Sequence, residues 1–125
     1  MSIFRERISV FNPERPSLSI ELEMVVDNGA TYTRIPKDIL SKLGIQPKAR
    51  RRVKLADGNI IEREIGTVNL CLKGETLLNL VIFGDKGSEP LLGAMSLEGF
   101  GLAIDPVDKQ LVPVPLLLVA TKETL

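Results

Sequence analysis

The chain has no histidine, no tryptophan and a single cysteine, Cys71. Without histidine there is no Ser–His or Cys–His couple for nucleophilic hydrolysis and no imidazole metal site. A lone thiol can form neither an intramolecular disulfide nor the thiolate cluster that holds structural zinc. Cys71 sits in the alternating stretch Thr67–Leu72, where a small buried or half-buried residue is the expected reading. Net charge is absent too. Lysine plus arginine and aspartate plus glutamate number 16 each, so no net field draws the chain to nucleic acid or an anionic membrane. The densest basic run, Lys48-Ala49-Arg50-Arg51-Arg52, lacks aromatic neighbours for base stacking and reads as a solvated strand entrance. Long apolar runs are missing as well. The stretch Leu116–Ala120 is too short to span a bilayer, and Met1–Arg7 carries charges where an export signal needs an apolar block. The expectation is a soluble, cytoplasmic protein with no cofactor, no metal, and no nucleic-acid or membrane partner.

What is present is alternation. At 125 residues the chain is read as one domain, 1–125, with a core from about residue 7 to 115 and a tail over 116–125. Residues Arg7–Phe11 and Leu18–Val26 alternate as strands with one buried face, joined through the turn Asn12–Pro16. Tyr32–Ile35 is extended. Pro36 then suits the first position of a short helix that presents Ile39, Leu40 and Leu43 on one face and ends at Gly44. Two more hairpins follow. The first, Arg51–Leu55 with Ile60–Ile65, is highly charged and turns at Ala56-Asp57-Gly58-Asn59. The second, Gly66–Leu72 with Thr76–Phe83, is more apolar. After a loop at Gly84–Pro90 come Leu91–Ala94, a turn or two of helix over Met95–Gly99, and strands at Leu102–Ile104 and Gln110–Pro113. Pro113 and Pro115 confine the last strand to an edge or to a contact with another chain. Asp105 and Asp108 read as turn formers, Glu98 as part of a solvated helix face, and Asp38 as an acid suited to a helix start. The sum is a mostly β, small barrel-like fold with one or two short helices.

The stretch Met24-Val25-Val26-Asp27-Asn28-Gly29-Ala30-Thr31 admits two readings. In one, Asn28-Gly29 is a type I′ hairpin turn between strands. In the other, Asp27 is a carboxylate presented on a rigid loop at a strand end, with Gly29 supplying positive φ or room for a second backbone.

The order of motifs along the chain bears on that choice. A strand ends in Val26-Asp27-x-Gly29-Ala30-Thr31, and Thr33-x-Ile35-Pro36 opens a helix closing on Leu43-Gly44-Ile45. A polar hairpin is tipped by Ala56-Asp57-Gly58. Leu91-Leu92-Gly93 then precedes Leu97-Glu98-x-x-Gly101-Leu102-x-Ile104-Asp105. This succession, from about Leu18 to Pro115, resembles the retroviral-type (retropepsin-like) aspartic proteases, in particular their short single-domain prokaryotic relatives. The resemblance implies that Asp27 is the catalytic aspartate, that Gly29 and Ala30 shape its loop, and that Leu92 and Gly93 brace it from beneath. It implies that Ala56, Asp57, Gly58 and Asn59 tip a flap over an extended polypeptide substrate. Only one such aspartate motif is present, so the family implies a homodimer contributing one Asp27 per chain. Two carboxylates so placed share a proton, giving a base for water and an acid for the carbonyl oxygen. A catalytically inactive dimer of the same fold that binds extended peptides is the alternative.

Asn28 departs from the family pattern, which has Thr or Ser there to hydrogen-bond across the dimer. Asn offers both a donor and an acceptor but is bulkier. Asn28→Thr is expected to tighten self-association or raise peptide hydrolysis, measured by sedimentation equilibrium and by initial rates. If neither changes, Asn28 already substitutes for the hydroxyl.

Overall fold

A computed structural model describes residues 4–116. The expected tail thus lies outside the described residues except for Leu116, which is exposed. The element order is β1 (Arg5–Phe11), β2 (Ser19–Val26), β3 (Thr33–Pro36), α1 (Lys37–Lys42), β4 (Ala49–Lys54), β5 (Ile60–Leu72), β6 (Glu75–Gly84), β7 (Leu91–Leu92), α2 (Ala94–Gly99), β8 (Leu102–Asp105) and β9 (Gln110–Pro113). The fold is mostly β and barrel-like.

Strands β1 and β2 form the expected antiparallel hairpin, with Ile8 opposite Leu22 and Val10 opposite Ile20. Alternation places Ile8, Val10, Met24 and Val26 in the core while the intervening glutamates stay in water. From β2 the sheet runs through β7, β3 and β6 to β5, and β5 returns to β1 through Val10 opposite Leu70. Hydrogen-bonded pairing therefore closes on itself, around a core in which Val10, Met24, Ile35, Leu40, Leu70 and Leu92 have no exposed surface. Strand β4 hangs on the far end of β5, outside this ring. Strands β8 and β9 make a separate two-stranded sheet, so β9 is an edge.

Two local expectations are corrected. The second and third hairpins are not separate, because β5 is one strand of 13 residues that serves both. Gly66 is not a break in it. A Cβ there would stand 3.1 Å from the Gln46 carbonyl oxygen and 3.1 Å from the Phe83 ring, so the glycine marks a close approach within a strand. Pro36 lies one position before α1, at φ −53° and ψ 139°, where it also ends β3 opposite Gly84. Gly44 ends the helix as expected, directly past Leu43 at φ +74°, its amide donating to Ser41 O at 3.0 Å. The β5–β6 turn consists of Lys73 (φ 51°) and Gly74 (φ 81°), both left-handed as a two-residue type I′ turn requires.

Asn12, expected only as a turn former, is buried at 6% exposure. Its Oδ1 accepts the Glu14 and Arg15 amides at 2.9 and 3.2 Å. Its Nδ2 donates to the Leu43 carbonyl at 2.8 Å, satisfying one of the orphan acceptors at the end of α1. One side chain thus ties the β1–β2 turn to the helix terminus. Asn12→Ala leaves the Leu43 carbonyl without this donor and the Glu14 amide without its acceptor, and is expected to cost about 2 kcal/mol, read as a lower urea midpoint at unchanged slope.

Candidate active site

Strand β2 delivers Asp27 to the top of the ring and β3 begins at Thr33, but these strands are not neighbours. The two-residue β7 runs between them, parallel to β2 through Val25–Leu91 and Val26–Leu92 and antiparallel to β3 through Arg34–Leu91. The loop from Asp27 to Tyr32 must therefore arch over the end of β7. This geometry overturns the hairpin reading of Asn28-Gly29. It also corrects the expectation for Gly29, whose φ is not among the left-handed values, and which has no second backbone against it. Its amide instead donates to Asp27 Oδ1 at 2.9 Å, and a Cβ at Gly29 would stand 3.1 Å from that same oxygen. Asx turns of this kind fix a carboxylate to its own backbone.

The rest of the loop is held from below. The Asp27 amide donates to the Leu92 carbonyl at 3.0 Å, and the Ala30 amide donates to the Asp27 carbonyl at 3.3 Å. Past Gly93 the first amides of α2 turn back to the loop, Ala94 N–H donating to Ala30 O at 2.7 Å and Met95 N–H to Thr31 O at 2.9 Å. These bonds stand in for a side-chain cap, which α2 lacks. Beneath them Thr33 and Ser96 are buried with their hydroxyls 2.5 Å apart, and the Gly93 amide donates to Thr33 Oγ1 at 3.1 Å. No local pattern in the sequence distinguishes Ser96. Thr33 could have been suspected as a buried hydroxyl, because alternation puts it on the face of Ile35.

A cleft of about 540 Å³ opens beside this loop. Gly29, Ala30, Thr31 and Tyr32 form one wall, Arg34 and Ile82 lie on its floor, and the β4–β5 hairpin overhangs it through Val53, Leu55 and Ile61. Asp27 is half-buried at the rim of that wall rather than in the lining, and Asn28 beside it is exposed. Ala56, Asp57, Gly58 and Asn59 are all exposed and extend past the cleft. Only Gly58 is left-handed there, at φ +91°, so the tip is not a two-residue I′ turn. The Gly58 amide donates to Leu55 O at 2.9 Å and the Leu55 amide to Asn59 O at 2.8 Å, the pattern of a three-residue loop closed by a glycine bulge. Both oxygens of Asp57 are spent within the tip, accepting from the Asn59 amide at 2.9 Å and from Asn59 Nδ2 at 3.0 Å. Asp105 likewise serves its own turn, accepting from the Val107 and Asp108 amides.

A family model described as "gag-polyprotein putative aspartyl protease" matches residues 19–98, a span that includes the Asp27 loop, the β4–β5 hairpin and β7. The chain belongs to this retropepsin-like aspartyl protease family. Solved retropepsins share its fold. The EIAV protease complexed with the inhibitor HBY-793 superposes with a TM-score of 0.59 at 17% identity, covering 80% of this chain and 89% of that one. The simian foamy virus (mac) protease, a solution structure, gives 0.54 at 16% identity, covering 77% and 93%. Among curated proteins none matches the chain.

In this retropepsin-like chain Gly93 is the glycine with least room for a side chain. A Cβ there would lie 2.5 Å from the Tyr32 carbonyl oxygen and 3.0 Å from that of Ala30, both backbone atoms with no rotamer to yield. Gly93→Ala is expected to lower stability by about 3 kcal/mol and to displace the Asp27 loop, detected as a fall in melting temperature together with shifted amide resonances across residues 27–32.

Proposed function

We propose that the chain is an aspartic endopeptidase, residues 1–125 acting as one domain, which works as a symmetric homodimer with one Asp27 from each subunit. The paired carboxylates share one proton. The ionised member takes a proton from water as it attacks the scissile carbonyl, and the protonated member delivers its proton to the carbonyl oxygen. The extended substrate lies in the cleft under the β4–β5 hairpin, which acts as a flap with Ala56, Asp57, Gly58 and Asn59 at its tip. Gly29, Ala30, Leu92 and Gly93 keep the carboxylate in place, so that no reorganisation is needed when the second subunit arrives.

The observation that carries this reading is the way Asp27 is held at the cleft rim. Its backbone is bonded to Leu92, and Oδ1 is bonded to the Gly29 amide. Among the described residues Oδ2 accepts no hydrogen bond, which leaves that oxygen available to a symmetry-related carboxylate and to water. A second reading, a non-catalytic dimer that binds extended peptides in the same cleft, is favoured by Asn28, an exposed amide where the family has a hydroxyl.

The test is cleavage of a mixed pool of unstructured peptides across pH ~4 to 7, the range of a proton-sharing carboxylate pair. Hydrolysis is expected to rise faster than linearly with protein at low concentration, and to fall to background in Asp27→Asn with the circular dichroism spectrum unchanged. Activity retained by that variant would rule out the dyad. A wild type that self-associates and binds peptides yet cleaves none of them supports the second reading.

A further inference from the structure

The β4–β5 hairpin distributes charge differently on its two faces. On the outer face Arg50 Nε donates to Glu62 Oε1 at 2.9 Å, and its guanidinium lies 4.0 Å from Glu64. The Glu62 hydrogen bond first, then the Glu62 and Glu64 charges, hold the pKa of Arg50 above its ordinary value. On the face toward the cleft, Arg51 and Val53 alternate opposite Arg63 and Ile61. Arg51 and Arg63 are direct cross-strand partners. Like charges so opposed destabilise a ladder.

Arg63 has a counter-ion, Asp85, at 3.1 Å. Arg51 has none among the described residues. Its Nη1 donates only to the neighbouring Arg50 carbonyl, at 2.8 Å. Arg34 reaches the cleft from β3 and also meets a neutral acceptor, Nε and Nη2 donating to the Glu89 carbonyl at 3.2 and 2.8 Å. The Glu89 carboxylate is taken by Arg5 at 2.6 Å. Four arginines, with Arg52 beside Arg34, Arg51 and Arg63, and Lys54 therefore line the cleft with one carboxylate, Asp85, whose side chain is 72% exposed. The chain as a whole is charge-balanced at 16 and 16, so this is a local excess in a concave site, where field lines concentrate.

We propose that the cleft selects polypeptides carrying an acidic side chain next to the cleaved bond, received by Arg51 with Arg34 and Arg63 as flanking cations. Cleavage beside that side chain rests on the endopeptidase reading; the binding preference does not. A guanidinium presents a planar fork that matches a carboxylate bidentately. Val53, Ile61 and Ile82 beside it strip water from the pair and strengthen it. An arriving carboxylate also relieves the Arg51–Arg63 opposition, so binding removes a repulsion that the free protein carries. The ligand is a peptide rather than a nucleic acid. The apolar part of the lining is mainly aliphatic, with Tyr32 its one aromatic, and so gives little surface for base stacking.

Two peptide sets identical except for Glu in place of Gln, at each position around the cleavage point, provide the test. The full chain is expected to favour the best Glu peptide about tenfold in kcat/KM at low salt, and the preference should shrink as ionic strength rises. Arg51→Glu should abolish or invert the Glu/Gln ratio while melting no lower than wild type, since the introduced carboxylate would face Arg63 as an opposite charge. Arg51→Lys should keep a weaker preference. The same peptides are titrated against Asp27→Asn by fluorescence anisotropy, with a single-stranded oligonucleotide as competitor. Equal cleavage of both sets overturns the acidic selection and leaves the protease standing. No cleavage, but Glu-selective binding that Arg51→Glu destroys, supports the selection and removes the catalytic reading. Absence of both, or an oligonucleotide that binds as tightly as the Glu peptides, overturns the proposal.

Discussion

The site depends on one steric fact: a two-residue strand passes beneath the loop that connects its two neighbours. Because β7 lies between β2 and β3, the chain from Asp27 to Tyr32 has to cross over it, and the crossing point is Gly93. Backbone against backbone at that distance leaves no space for even a methyl group. The contact also aligns the hydrogen bonds that follow. Leu92 receives the Asp27 amide, and the start of α2 bonds to Ala30 and Thr31. Thr33 and Ser96 close the gap from the core side. Flexible elements could not hold a carboxylate in this way. The loop is short and irregular, but its polar backbone is anchored to strand and helix ends, as a buried irregular segment must be.

Energetically the arrangement divides into two zones. Below the loop, apolar burial and satisfied polar groups make a rigid floor in which Ile35, Leu92 and Met24 have no exposed surface. Above it, the β4–β5 hairpin is mostly exposed and held by surface ion pairs such as Arg50–Glu62, each of which contributes little in water. On the proposed endopeptidase reading, rigid support beneath and a lightly held cover above would suit the entry of an extended chain, because the cover could be displaced without disturbing the core.

Much of this was legible from residue patterns. Period-two alternation located β1 and β2 and their pairing, because each has one face in the core and one in water. The Asp27 motif, the helix after Pro36 and the Leu91-Leu92-Gly93 segment were found by order and spacing. Glycine was the residue most often misread. Gly29 looked like a local conformational need and Gly66 like the start of a separate hairpin, and both proved to be questions of space, set by the Asp27 carboxylate in one case and by Gln46 and Phe83 in the other. At Gly66 the neighbours are distant in sequence, so no local pattern announces the need. The same holds for ring closure between β1 and β5, and for Asn12, whose partner Leu43 lies across the fold. The cleft's cationic character was hidden for a related reason. The basic run at Lys48–Arg52 looked uniformly solvated, and only the strand register separates Arg50, which has glutamate partners, from Arg51, which faces Arg63.

Closure of the ring also bears on solubility. A paired strand side offers no template for another chain, and within the main sheet of the described residues β4 is the strand with a single neighbour, β5. That strand reads Ala-Arg-Arg-Arg-Val-Lys. Four positive charges along a free edge oppose the approach of a second identical edge. A protein with no net charge lacks the general repulsion that keeps many proteins dispersed. Here the repulsion is concentrated along the outermost strand of that sheet, where a second copy could add to it.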